Sequence, residues 1–343
     1  MNLLKGKCEM EEKVLQYSIN DFMMNTLELD KTQNKTVECA NPTVEYDKNS
    51  YDFSKLFRDN IDCVENQSNG SSLAILGDCV SVLKSMKRES VDLIFADAPY
   101  NIGKDFGNNS DKWESTEAYI EWCKTWIDEC MRVLKDDGTM YFMTATQHMP
   151  YLDVYVSQKY HVMCRIVWTY DSSGVQSKQM YGSLYEPILM MNKSPRAAYT
   201  FNYTDILVEA KTGSQRKLID YRKDPPQPYN TEKVPGNVWE FNRVRFKMEE
   251  YENHPTQKPE ILLERIIKAS SNKGDVVLDP FSGSFTTSAV ARKLGRVAIG
   301  IELNEEYYEM GLRRTEIAKT RKGKSLEKKI VRKTNAKSKY VRD

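Results

Sequence analysis

The sequence predicts a doubly wound α/β sheet, mostly parallel, interrupted by a long irregular insertion. Three observations predict it. Short apolar runs such as "LAILGD" (73–78), "VDLIFAD" (91–97) and "DVVLDP" (275–280) have the length and composition of buried strands. Between them lie longer segments whose apolar residues recur at i, i+3 and i+4, the spacing of a helix packed on one face. The two kinds of segment alternate, which is the pattern of βαβ units in a parallel sheet.

Taken in order, residues 1–70 are polar, rich in Asn, Asp and Lys, and run into "NQSNGSS" (66–72), a linker signal. Within them "VLQYSINDFMMNTLEL" (14–29) has helical spacing, so a partly helical extension is expected. The α/β pattern then starts with the strand "LAILGD", the helix "CVSVLKSM" (79–86) and the strand "VDLIFAD". "EAYIEWCKTWIDECMRVL" (117–134) reads as a packed helix, "GTMYFMTA" (138–145) as a third strand, and "HVMCRIVWTY" (161–170) and "EPILMMNK" (186–193) extend the sheet. From 171 to 253 the regularity fails and Gly, Pro, aromatics and cations cluster, as in "KTGSQRKLIDYRKDPPQPYN" (211–230) and "WEFNRVRFK" (239–247). The pattern resumes with the helix "PEILLERIIKAS" (259–270), "DVVLDP", the helix "TTSAVARKLG" (286–295), the strand "RVAIGIEL" (296–303) and the helix "EEYYEMGLRRTEIAK" (305–319). The expected domain is therefore 71–170 with 254–318, carrying an insertion at 171–253 and a basic tail at 319–343.

Composition narrows the function classes. With 40% hydrophobic and 29% charged residues the chain buries a real core, and a net charge of +1 gives no global field for nucleic acid, so any basic surface is local. Seven cysteines without a CxxC pair argue against a zinc ribbon or redox motif and for free thiols in a reducing compartment. His148, His161 and His254 form no ligand cluster, so no metal is expected. The N-terminus lacks a long apolar stretch and no run approaches a membrane span, so a soluble, cytoplasmic protein is expected.

Two strand ends carry the chemistry. In "FADAPYNIG" (95–103) a buried run stops at Asp97, followed by Ala98, Pro99 and Tyr100; an Asp-Pro turn alone would explain these residues. In "VLDPFSGSFTTSAVARKLG" (277–295) a second strand ends in Asp-Pro and opens through Gly283 into a helix, where small residues let a ligand approach backbone N–H groups. One strand later Glu302 follows at about 20 residues, the spacing at which a carboxylate accepts from ribose hydroxyls. An adenosine-containing cofactor follows from that spacing, although neither GxGxxG nor a P-loop is present. An ordinary strand-to-helix turn is the bland alternative.

At this point the chain resembles the β class of S-adenosylmethionine-dependent amino-methyltransferases of DNA. In that class a D/S/N-P-P-Y/F motif comes first, a target-recognition insertion second and an F-x-G-x-G cofactor loop last; here these are "DAPY", 171–253 and "DPFSGS". "NHPTQKP" (253–259), "DSSGVQ" (171–176), "GSLYEPIL" (182–189), "EAKTGSQRKLIDYRK" (209–223) and "KVPGNVWEF" (233–241) extend the resemblance towards the YhdJ-type and HindIII-like adenine-N6 group, over about residues 73–316. The resemblance implies a Rossmann-like methyltransferase sheet in circularly permuted order, with the catalytic motif before the cofactor loop. It implies that Asp97 and the Ala98 carbonyl accept from the target amino group, Pro99 fixes the bend and Tyr100 stacks on a flipped base. It implies cofactor contacts from Asp78, Asp279, Phe281, Gly283, Ser284, Thr286, Glu302 and Lys258, the last also suited to a DNA phosphate; His254 is expected to be structural. Two positions depart from the pattern: Ala98 replaces the first proline of the motif and Phe285 the second glycine of the loop, the latter implying a differently shaped turn.

Double-stranded DNA is the implied partner, with a cognate restriction endonuclease and a homodimer as further expectations. Arg216, Lys217, Arg222, Lys223, Arg243 and Arg245, interleaved with Tyr221, Tyr229, Trp239 and Phe241, are the expected DNA contacts. Asp at position 97 favours adenine over cytosine-N4, which stays open, as does an inactive DNA-binding module. RNA or protein-glutamine methylation would place the cofactor loop first, and a covalent cytosine-C5 mechanism would need a Pro-Cys thiol that the sequence lacks.

Overall fold

A computed structural model describes residues 50–58, 60–104, 106, 111–171, 178–211 and 218–318. The N-terminal extension up to 49, Arg216 and Lys217, and the basic tail lie outside the described residues. Thirteen strands are described: β1 (Glu65–Ser68), β2 (Ser72–Leu76), β3 (Val91–Asp97), β4 (Leu134–Met143), β5 (His161–Thr169), β6 (Tyr185–Asn192), β7 (Val208–Glu209), β8 (Ile219–Asp220), β9 (Gln227–Pro228), β10 (Glu232–Lys233), β11 (Val238–Glu240), β12 (Val276–Asp279) and β13 (Val297–Glu302). The helices are α1 (Cys79–Ser85), α2 (Thr116–Val133), α3 (Met149–Lys159), α4 (Glu260–Ser270), α5 (Thr286–Lys293) and α6 (Glu305–Arg314).

Nine strands form one sheet in the order β1-β2-β13-β12-β3-β4-β6-β5-β11. From β2 to β4 every pairing is parallel; β6 runs antiparallel to β4 and to β5, and β1 closes the other edge antiparallel to β2. The expected mostly parallel α/β sheet is what forms. The side-chain period of two divides the core between both faces. In β3, Ile94 and Ala96 join the cluster under α1, α2 and α3, whereas Leu93 and Phe95 join the cluster under α4 and α5. The same alternation runs through β4, with Met140 and Phe142 on one face and Tyr141 and Met143 on the other. Helix α2 shows why the sequence folds this way locally. Ser115 caps it by accepting from the Ala118 N–H at 3.1 Å, and Tyr119, Ile120, Cys123, Trp126, Ile127, Cys130 and Met131 bury one stripe.

One expected boundary changes. The extension does not end at residue 70: Leu56 and Phe57 are buried in the core, and "ENQS" (65–68) is the edge strand β1 rather than a linker. Its four exposed polar side chains hide it from any burial pattern. Segment 171–253 also enters the sheet, as expected for "EPILMMNK" and beyond expectation for 238–240. It holds β6 in the sheet interior and β11 at its edge, where Trp239 pairs beside Trp168 and the Trp168 indole donates to the Phe241 carbonyl at 2.9 Å.

Strands β3 and β12 are adjacent, yet the chain winds from β3 towards β4 and from β12 towards β13. This is the switch point at which open α/β sheets leave a crevice at the carboxyl ends of their strands. Asp97 ends one of these strands and Asp279 the other.

Candidate active site

A cavity of about 320 Å³ opens at that switch point, in the size range of small-molecule sites. Its walls include Asp78, Asp97, Ala98, Pro99, Tyr100, Lys258, Asp279, Phe281, Gly283, Ser284, Thr286 and Glu302, so the structure brings together every expected catalytic and cofactor residue. Asp78 caps α1, accepting from the Ser81 N–H at 2.9 Å. Asp279 accepts from the Thr287 hydroxyl at 2.5 Å and the Phe281 N–H at 3.0 Å. Burial nevertheless pushes its carboxyl up to about 7. Glu302 accepts from the Gly283 N–H at 2.7 Å and from the N–H groups of Leu303 and Asn304. Burial raises this carboxyl too, against those three bonds.

The loop between Asp279 and α5 fits a bound adenosyl cofactor. Gly283 has φ +48°, and a Cβ there would meet His254 Nε2 at 2.8 Å, so only glycine keeps this wall open. Phe285, where the class has its second glycine, does not put a ring in the cavity. It adopts the left-handed conformation (φ 56°, ψ 30°) and turns its fully buried ring away, between Gly300, Gly311 and Tyr308. His254 is neutral: burial, then Lys258 and Lys104, lower its imidazole to about 3. It packs against Tyr307 and Phe106 and lines both this cavity and the one beside it.

The Asp97–Tyr100 turn is held from three directions. Asp111 accepts from the N–H groups of Asn101 (2.6 Å) and Ile102 (3.1 Å), Asn101 accepts from the Trp113 N–H, and the Tyr119 hydroxyl donates to the Pro99 carbonyl at 2.8 Å. Asp97 itself is engaged on both oxygens. Lys258 Nζ lies 2.6 Å from Oδ2, and the Tyr100 hydroxyl lies 2.8 Å from Oδ1 and 2.9 Å from Glu186 Oε2. Burial raises the Asp97 carboxyl and Lys258 lowers it. Lys258, expected at the cofactor or a DNA phosphate, lines the cavity and, at 7% side-chain exposure, pairs its ammonium with Asp97. Sequence reasoning also missed Glu186, Asp111, Trp113, Trp122, Asn304 and Tyr307, which line or brace the site from distant segments. The one signal for Glu186 was an acid at the head of the "YEPIL" strand.

A second cavity, about 240 Å³, lies on the other side of Tyr100 and Lys258 and is lined by Trp168, Tyr170, Tyr185, Glu186 and Arg243. Arg243 sits 4.8 Å above the Tyr170 ring and Arg245 donates to the Asp171 carbonyl at 3.3 Å. Arg222 pairs with Asp220 at 2.8 Å and, like Lys223, is exposed beyond β8, next to exposed Tyr221. Trp239 and Phe241 were expected among the DNA-facing aromatics. They are instead core residues, 7% and 9% exposed, each under the Arg265 guanidinium.

Fold and site together define a Rossmann-like α/β protein with a cavity at the switch point of its sheet and an acid-centred turn, Asp97–Tyr100, in the cavity wall. Residues 91–313 match the sequence profile of the DNA methylase family. The chain is 58% identical over 274 residues to the DNA adenine methyltransferase YhdJ of Escherichia coli K12, covering 80% of this chain and 92% of that protein. It is 38% identical over 242 residues to the type II methyltransferase M.HpaI of Haemophilus parainfluenzae, covering 70% and 73%. Among solved structures, the cytosine-N4-specific PvuII DNA methyltransferase superimposes with a TM-score of 0.58 at 16% identity, covering 74% of this chain and 90% of that one. The chain belongs to the DNA methylase family.

Proposed function

We propose that this protein is a site-specific DNA methyltransferase that uses S-adenosylmethionine to methylate the N6 amino group of adenine in a flipped-out base. The observation that carries the reading is the placement of Asp97 and Asp279 at the carboxyl ends of adjacent strands, with two cavities whose shared wall includes Tyr100 and Lys258. Bound in the larger cavity, the cofactor supplies an electrophilic methyl group. Asp279 and the N-terminus of α5 would hold its methionine end, and Glu302 its ribose hydroxyls.

The exocyclic amino group is a poor nucleophile because its lone pair is delocalised into the ring. Asp97 accepts one of its N–H bonds and the Ala98 carbonyl the other, which favours the pyramidal geometry needed for attack. Positioning of this kind supplies much of the catalysis. A base inside a duplex cannot reach Asp97, so it is extruded at a cost of a few kcal/mol. The aromatic walls of the second cavity offset part of that cost. Arg243 and Arg245 at this cavity, and Arg222 and Lys223 on the exposed hairpin, are the proposed DNA contacts. Arg216 and Lys217 extend the set from outside the described residues.

Adenine is favoured over cytosine-N4 by Asp97 and by the 58% likeness to a protein named an adenine methyltransferase. The fold does not discriminate between them, since a cytosine-N4 enzyme shares it. M.HpaI is named a type II methyltransferase, and on that ground a cognate restriction endonuclease is a proposed partner. A homodimer is proposed from the class resemblance, and a cytoplasmic, nucleoid-associated location from the substrate. Among the described residues no helix is long and apolar enough to cross a membrane.

Mass spectrometry of nucleosides from DNA incubated with the protein and cofactor tests the reading. N6-methyladenine is expected, and N4-methylcytosine without it would overturn the choice of base. Asp97→Asn keeps the shape of the turn and should lower turnover by about 10²–10³-fold or more, with DNA affinity retained. Retained methylation in that variant would remove Asp97 from the mechanism.

A further inference from the structure

The cluster around Asp97 contains more charge than the proposed chemistry uses. Asp97, Glu186 and Lys258 converge with the Tyr100 hydroxyl in a largely buried space, their side chains 16%, 15% and 7% exposed. One ammonium faces two carboxylates: Lys258 Nζ is 2.6 Å from Asp97 Oδ2 and 3.6 Å from Glu186 Oε2. Tyr100 bridges the same two acids with a single proton, at 2.8 and 2.9 Å. Lys258 also lies 5.4 Å over the Tyr100 ring. The other cations lining the second cavity are held elsewhere, Arg243 over Tyr170 and Lys104 on the Pro255 carbonyl at 3.3 Å.

This arrangement poses a problem for the reading of Asp97 as an acceptor, on which the inference rests. An amino group arriving from the second cavity needs a lone pair on Asp97, and Lys258 holds that carboxylate in an ion pair. A neutralised carboxylate is a weaker acceptor, and an ammonium beside the target nitrogen repels the positive charge that alkylation builds there. Simply expelling Lys258 is unfavourable, because a buried ammonium without a counter-ion is costly. Glu186 resolves this. It stands within about 1 Å of hydrogen-bond reach of the same Nζ, on β6, the neighbour of the strand that follows the catalytic turn's own strand in the sheet.

We propose that Glu186 is a positioning residue: the second carboxylate that takes Lys258 when a target amino group takes Asp97. Lys258 then works as a stand-in for the substrate's amine, moving between two acids rather than between protein and solvent. Glu186 acts through Lys258 and Tyr100.

The test compares Glu186→Gln and Glu186→Asp in steady-state methylation of unmethylated plasmid DNA. Glutamine is isosteric and still accepts from Tyr100, but cannot neutralise an ammonium; aspartate is shorter but keeps the charge. The expected result is a loss of about 10- to 100-fold in kcat for Glu186→Gln. KM for DNA and the calorimetric affinity for the cofactor should stay within about threefold. Glu186→Asp should turn over faster than Glu186→Gln. A role in packing alone gives the reverse order, because the isosteric change then does least harm, and that order overturns the proposal. So does a kcat of Glu186→Gln equal to the wild type, or a loss carried by KM for DNA. A wild-type protein that methylates no DNA would sink the proposed function instead, a separate result read before any variant.

Discussion

Replacing Gly311 by alanine should destabilise this protein, and the same replacement should stabilise it once Phe285 is gone. A Cβ at 311 would collide with Phe285 Cδ2 and lie 2.5 Å from Cγ and Cε2, where ordinary contact begins near 3.4 Å. The ring cannot retreat. Its opposite edge faces Gly300, where a Cβ would be 2.5 Å from Cε1, and the residue's own backbone is fixed in the left-handed region. Overpacking of a filled core costs about 1–3 kcal/mol, and contacts this short belong at the upper end. Against it stands the gain of about 1 kcal/mol from placing Ala rather than Gly within α6. The net loss is about 2 kcal/mol, or about 4–8 °C in thermal midpoint at ~2–4 °C per kcal/mol. In Phe285→Gly the ring is absent, a cavity costs about 3–5 kcal/mol, and relief of a non-glycine left-handed residue returns about 1–2 kcal/mol. Adding Gly311→Ala to that background keeps the helix gain and fills part of the hole, so its sign reverses. Thermal unfolding of the four proteins at one concentration without cofactor completes the cycle. An effect of the same sign in both backgrounds would refute the account of Phe285 as a plug seated between two glycines.

Ala98→Pro restores the proline usual in the class; if the carbonyl is the working group at 98, turnover on DNA should stay within about tenfold, and a larger loss means that the turn depends on something else in Ala98. Asp279, raised to about 7 by burial, predicts a pH dependence of cofactor binding. In its proposed place at the cationic methionine end the acid must ionise, so affinity measured by calorimetry should rise about tenfold per pH unit up to ~7 and level above it, with Asp279→Asn removing the slope. The sign for the unliganded protein is opposite: the folded state binds the extra proton between about pH 4 and the raised value, so this group's contribution to stability falls as pH rises through that window.

Much of this was legible because burial writes itself into sequence. Strands β3, β12 and β13 are apolar on both faces and end in acids, so their identity and the site at their ends could be read from periodicity and punctuation. Helix α3 was not read: Tyr151 and Val154 are exposed while Met149, Leu152 and Val156 are buried, and apolar residues on both sides blur the stripe. Strand β1 carries no apolar residue at all, and β11 is three residues whose partner lies some 70 positions earlier. Trp239 and Phe241 misled because a ring beside arginines looks the same in sequence whether it faces DNA or, as here, lies under Arg265. Within the site, the strand-end acids were visible as local signals. The Lys258–Asp97 pair, 161 residues apart, and Glu186, 86 from Tyr100, exist only once the sheet is assembled.

That assembled pair explains how a buried acid can serve as an acceptor at all. Burial pushes the Asp97 carboxyl up, towards the protonated form that offers the wrong group to an amine, and the Lys258 ammonium pulls it back. Lys258 favours its carboxylate form while no base is present, and burial keeps Lys258 from drifting to solvent. A charge held in readiness by an internal cation must be released by a second internal anion, or the same pairing that preserves it would also block it. The structure supplies both from segments that flank the second cavity: Lys258 from the "HPTQKP" turn ahead of α4, and Glu186 from β6, within the segment 171–253 proposed to contact DNA. The catalytic acid therefore depends on the insertion as well as on the sheet that carries it.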